Sequence, residues 1–227
     1  MTIVSVAAPG NGSGKTTALA SILSAFPGRF TAVKFTTVFR DGVNCPRTEK
    51  ACACRELHGA YTVVTDPAIL AMAESDTGRL TRSGARAVLW CLARPGAHAE
   101  AWAHLRQGLL PEGAVLLTEG NSIVPWIDPD LLIMVMSPLL PKGRWKQDAW
   151  DLARRADVVV VNPRGADRDD VESLVEETAA RCAGLRPPVV DVAASLESWD
   201  GGSIAARVAA VLAAPPRHRA HPMAGRP

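Results

Sequence analysis

The stretch VAAPGNGSGKTT, residues 6–17, follows the apolar run TIVSV close to the start of the chain, and it constrains the fold more than any other feature. An apolar strand that feeds a glycine-rich loop ending in Gly-Lys-Thr presents consecutive backbone N–H groups, then a helix N-terminus, to phosphate oxygens. The P-loop pattern G-x-x-x-x-G-K-[ST] is met at Gly14, Lys15 and Thr16, with Pro9 where the first glycine usually stands. Gly10 and Gly12 supply the missing flexibility. The expected phosphate cradle is therefore Gly10, Asn11, Gly12, Ser13, Gly14, Lys15, Thr16 and Thr17. In it Lys15 reaches the β- and γ-phosphates as a mobile point charge, and the Thr16 hydroxyl completes a Mg²⁺ shell.

The rest of the chain supplies the matching rhythm. Short apolar runs (TIVSVAA, FTAVKF, AVLWCLA, AVLLTEG, LLIMVM, DVVVVNP and PPVVDV) read as buried strands, and their continuous hydrophobicity is that of a mainly parallel sheet. Helical patterns at 15–26, 67–74, 96–108, 146–155, 169–182 and 203–212 fall between or after them. This predicts an α/β, doubly wound P-loop NTPase fold with helices on both faces, spanning residues 1–213. Residues 214–227 form a basic tail, and 40–60 a cysteine-rich loop inserted after the second strand.

With 227 residues, 48% of them hydrophobic, the chain can bury a substantial core. A net charge of +2, with basic residues scattered outside the tail, argues against a nucleic-acid partner. No basic stretch precedes an apolar segment of signal-peptide length, and no apolar run approaches the roughly 18 residues that cross a bilayer, so a cytoplasmic protein with no membrane partner is expected.

Two carboxylates join the cradle. Glu119 closes an apolar strand, and a carboxylate at the carboxyl end of a parallel strand stands at the ligand-binding rim, where it can hold Mg²⁺ directly or through water. Asp76 opens the segment DTGRLTRSGA as a helix N-cap, in which Arg79 and Arg82 share a face that suits an anion.

A second oddity is the sequence CPRTEKACACRELH, with Cys45, Cys52, Cys54 and His58 in the spacing C-x6-C-x-C-x3-H. Clustered thiolates repel one another unless a cation neutralises them, so this spacing points to metal. Three cysteines suit an iron-sulfur cluster such as [4Fe-4S]; with His58 they suit Zn²⁺. As the insertion follows strand two, the cysteines are expected over the nucleotide. Cys91 and Cys182, by contrast, lie in apolar or helical contexts and read as small buried hydrophobes.

Taken together, the P-loop, the lysine of AVKF, the DTGRLTRSGA segment and a strand ending in TEG resemble the molybdopterin-guanine dinucleotide biosynthesis protein B family of small P-loop NTPases. The match runs in order over most of the chain. Phe35 stands where that family has a histidine, and the cysteine insertion lies outside its pattern, so the wider class is also in view: dethiobiotin synthetase, the nitrogenase iron protein and the nickel-insertion GTPases. The resemblance implies that Gly14, Lys15, Thr16 and Thr17 bind phosphate and magnesium, that Asp76 and Glu119 lie near the metal, and that Lys34 sits beside the nucleotide or a second, anionic substrate as a catalytic cation. It implies a homodimer as well.

GTPases of this superfamily read guanine with Asn-Lys-x-Asp after a late strand. Here Asn162 is retained, with Pro163 and Gly165 at the lysine and aspartate positions. Without that carboxylate the guanine donors lose their partner, which favours ATP over GTP. Two functions follow. One is a Mg-dependent NTPase of cofactor or metal-centre biosynthesis, acting on an anionic small molecule or a metal-cofactor substrate. The other is an ATP-dependent small-molecule kinase or ligase with a purely structural cysteine site.

Overall fold

A computed structural model describes residues 1–39, 53–184, 188–193 and 202–214. The elements run β1 (Thr2–Ala7), α1 (Lys15–Ala25), β2 (Thr31–Thr37), α2 (Ala53–Glu56), β3 (Tyr61–Val64), α3 (Pro67–Leu70), α4 (Asp76–Arg82) and β4 (Ala87–Ala93). They continue with α5 (His98–His104), β5 (Val115–Glu119), β6 (Leu131–Met136), α6 (Ala149–Arg155), β7 (Val158–Val161), α7 (Arg168–Arg181), β8 (Val189–Val192) and α8 (Gly202–Ala213). The described strands form one sheet in the order β3-β4-β2-β5-β1-β6-β7-β8. All its pairings are parallel except β3 with β4.

Alternate residues of a strand point to opposite faces, and both faces here are covered. Ile133 and Val135 of β6 belong to one core cluster with Leu19 and Leu23 of α1, Leu80 of α4 and Val208 of α8. Their neighbours Leu132 and Met134 pack on the other face with Leu152 of α6 and Leu174 of α7. Val33 and Phe35 of β2 pack with Trp102 and Leu105 in and after α5. Helices on both faces explain why β1, β6 and β7 are buried along their whole length. The doubly wound, mainly parallel α/β fold is thus the one the apolar runs predict.

Several boundaries differ. β3 lies just beyond the expected insertion and pairs antiparallel at the sheet edge, a placement its four residues do not signal by themselves. The expected helix at 67–74 stops after α3; Ser75 then caps α4, its Oγ accepting from Gly78 N at 2.9 Å. The helical segment at 96–108 divides into α5 and a wider turn, Leu105–Leu109. The helix expected from 146 begins at Ala149, and the Lys146 N–H ahead of it donates to Pro9 O at 2.7 Å.

Candidate functional site

Strand register assembles the site. Val6 of β1 lies opposite Glu119 of β5, and Glu119 opposite Lys34 of β2, so the carboxylate and the lysine sit beside the exit of β1 into the loop. The loop turns through Gly12 (φ 86°) and Gly14 (φ 101°), left-handed backbone that glycine adopts without strain, and Gly14 then caps α1. Asn11 and Gly12 are exposed, and Ser13 is buried with its hydroxyl donating to Gly10 O at 3.2 Å. Lys15 arches back over the loop, its Nζ donating to the same carbonyl at 2.9 Å.

The hydroxyl of Thr16 stands 3.4 and 3.5 Å from the two carboxylate oxygens of Glu119, which is only 5% exposed. Lys34 forms an ion pair with Asp76 and lies 3.9 Å from Glu119. Thr17 accepts from Arg79 at 3.0 Å. Lys15, Thr16, Thr17, Lys34, Asp76, Arg79 and Glu119 therefore meet at one rim. Arg82 does not join them; it donates to Ala73 O at 2.7 Å. The expectation that Asp76 caps α4 is corrected: Ser75 is the cap, and this leaves the Asp76 carboxylate for Lys34.

Charge tuning follows from this crowding. Burial pushes the Lys15 ammonium down to about 8; Glu119 opposes that shift, while the cations Lys146 and Lys34 add to it. Burial would raise the Asp76 carboxyl, but the charge and hydrogen bond of Lys34, with Thr16 and Lys15, outweigh it and hold the group below its usual value.

Asn162, expected to read the base, is buried behind the loop. Its Nδ2 donates to Ser13 O at 3.2 Å, and its Oδ1 accepts from Arg164 N at 3.2 Å. A residue the sequence reading passed over does comparable work. Asn121, 2% exposed, accepts from Ala8 N at 3.1 Å and donates to Asp148 at 3.4 Å, tying the loop entry to α6. The available signal was a polar residue directly after the strand-end Glu-Gly. Gly120 itself (φ 139°) is required by close packing, since a Cβ there would stand 3.0 Å from Phe35.

Cys45 and Cys52 lie outside the described residues, as does the side chain of Cys54 in α2, and His58 is exposed. Among the described residues, no three His, Cys, Asp or Glu side chains come together as a metal cluster. Cys91 and Cys182 are buried thiols; burial pushes Cys91 up to about 12 and raises Cys182 as well.

No known family model and no curated protein matches the chain. Among solved structures it is similar to Zn(II)-bound YjiA GTPase from E. coli, at 14% identity over 78% of this chain and 54% of that one, TM-score 0.40. It is similar to the signal recognition particle receptor FtsY from Elizabethkingia anophelis, at 14% identity over 86% and 60%, TM-score 0.42. A third is the 54 kDa signal recognition particle protein from Aeropyrum pernix K1 in complex with GDP, at 19% identity over 87% and 43%, TM-score 0.43. The chain thus spans roughly half the length of these proteins. Its own sheet order, and a P-loop between β1 and α1, make the fold of the P-loop NTPase type. No helix among the described residues is long and apolar enough to cross a membrane.

Proposed function

We propose that this chain binds a Mg²⁺-nucleoside triphosphate and cleaves or transfers its terminal phosphoryl group. The observation that carries the reading is the apposition of Thr16 Oγ1 and the Glu119 carboxylate at 3.4 Å, beside the Lys15 loop. A hydroxyl and a carboxylate are hard oxygen donors; they suit Mg²⁺, which keeps several waters and shares phosphate oxygens. When bound, Mg²⁺ neutralises charge on the β- and γ-phosphates. The chain's own groups do the rest: the N–H groups of residues 10–17 hold phosphate oxygens, and Lys15 moves from Gly10 O to the phosphates. Lys34, steadied between Asp76 and Glu119, is the cation that meets a second anionic substrate.

The Asn162 amide is engaged with Ser13, so its part in nucleotide binding is first to hold the loop. The preference for ATP rests on Gly165 standing where guanine-reading proteins place a carboxylate. Cys45, Cys52 and Cys54 form the second half of the proposal, an iron-sulfur or zinc site in a protein of cofactor or metal-centre assembly. It rests on thiolate repulsion and on the resemblance to such proteins. Metal analysis and the visible spectrum of anaerobically purified protein test it, and three freely alkylated cysteines in metal-free protein would dismiss it.

The test of the nucleotide site is Lys15→Ala. Phosphate release from MgATP or MgGTP should fall by about 100-fold or more while the melting curve stays that of a folded protein. Unchanged turnover would remove the P-loop from the chemistry.

A further inference from the structure

The segment between β6 and α6, residues 137–148, lies as a strap against the entry of the P-loop. Its contact is close: a Cβ on Gly10 would stand 2.9 Å from a methyl of Leu140 and 3.2 Å from Arg144 O. It is also pinned. Lys146 N–H donates to Pro9 O at 2.7 Å, Trp145 Nε1–H to Leu140 O at 3.0 Å, and Asn121 bridges Ala8 N to Asp148. The Trp145 ring packs on Trp150, with centroids 5.1 Å apart, and Arg181 lies over Trp150. Pro9 gains a reason here. It has no N–H to offer a phosphate, and its carbonyl serves as the anchor of the strap.

We propose that Lys146, carried by this strap, is a second phosphate-binding cation that meets the terminal phosphate of the nucleotide from the β6 side of the loop, across β1 from Glu119 and Lys34. This rests on the nucleotide reading above. Three other nearby cations are engaged: Lys34 with Asp76 and Glu119, Arg79 with Thr17, Lys142 with Glu177. Lys146 is exposed and pairs with no carboxylate among the described residues, although its main chain is fixed at Pro9. Its charge reaches the centre of the site, for among the cations that disfavour the Lys15 ammonium it acts more strongly than Lys34.

The chemistry favours the terminal phosphate. The loop exit, at the start of α1, is where helix N–H groups take the inner phosphates, and Lys15 reaches outward to the β- and γ-positions. Since the Lys15 ammonium rests on Gly10 O, the loop entry marks the outer end of the nucleotide. A Mg²⁺-bound triphosphate still carries about two negative charges, and Lys15 alone does not balance them. A compact ammonium on a flexible stem, fixed only at its backbone, can follow the γ-phosphate as charge builds on it.

The experiment compares binding and turnover of MgATP, MgGTP and their diphosphates by wild-type protein, Lys146→Ala, Lys146→Arg, Lys142→Ala and Lys15→Ala. The strap anchor is the main-chain N–H, so Lys146→Ala keeps it, and a thermal melt verifies the fold. Lys146→Ala should weaken triphosphate binding by about tenfold and diphosphate binding by less than about threefold, with Arg restoring most of the loss and Lys142→Ala resembling wild type. Triphosphate binding and turnover within twofold of wild type in Lys146→Ala, or equal loss for di- and triphosphate, overturns the assignment. If Lys15→Ala both binds and turns over as wild type does, the nucleotide reading itself falls and this one with it. Loss in Lys15→Ala with none in Lys146→Ala removes Lys146 alone.

Discussion

The end of β5 and the first turn of α4 each bring one carboxylate to Lys34, and they hold it differently. Glu119 closes a central strand, is buried, and is fixed by register to Val6 on one side and Lys34 on the other. Asp76 has a half-exposed side chain, and its place depends on a short turn. That turn is set by the Ser75 cap and by Gly78, where a Cβ would come within 2.0 Å of Met72 O. A rim carboxylate held by the sheet is fixed in place, whereas one on a helix end is free to shift together with Lys34. The difference separates a fixed half of the site from an adjustable half.

Breaking the fixed half should have the larger effect. Glu119→Gln keeps a hydrogen-bond acceptor for Thr16 but removes the charge, and phosphate release should fall by about 100-fold with little change in melting temperature, because Asp76 still pairs with Lys34. Steady-state phosphate release across a Mg²⁺ titration reads this directly. Asp76→Asn should cost less, about tenfold in turnover, since it frees Lys34 without removing the buried carboxylate of Glu119. Equal losses in the two variants would erase the distinction between the halves.

The smallest effect is on stability against acid. The Asp76 carboxyl is held below its ordinary 3.8, so its ion pair stabilises the folded state above that pH and loses its contribution as pH falls through the lowered folded value. Exposure screens the pair, so the contribution is under about 1 kcal/mol. Wild type and Asp76→Asn should therefore differ by a constant small amount from neutrality down to about pH 4 and converge below it. Urea melts at stepped pH measure the difference; a gap that widens in acid would contradict the pairing.

Much of this site was legible in the chain because its signals are local. A glycine-rich turn after an apolar strand, a Lys-Thr at a helix start and a glutamate at a strand end each depend on neighbours within a few residues. The helices at 169–182 and 203–212 were read to within a residue or two for the same reason; the first carries its own cap, Asp167, and acidic first turn. The shorter elements were not legible. α3 and β3 have four residues each, and β3 exists because β4 offers it an edge.

The sequence by itself determined a mainly parallel α/β sheet, a phosphate loop between β1 and α1, and a carboxylate at the rim, because backbone geometry and hydrophobic period are written into contiguous residues. Tertiary structure alone decided which side chains meet. Lys34 with Asp76 spans 42 positions, Ala8 with Asn121 spans 113, and Asn162 with Ser13 spans 149. Such pairs are chosen by the order in which strands lie side by side. The Asn162 amide, which pattern reading gives to a base, meets the Ser13 carbonyl only because the sheet brings β7 beside the loop.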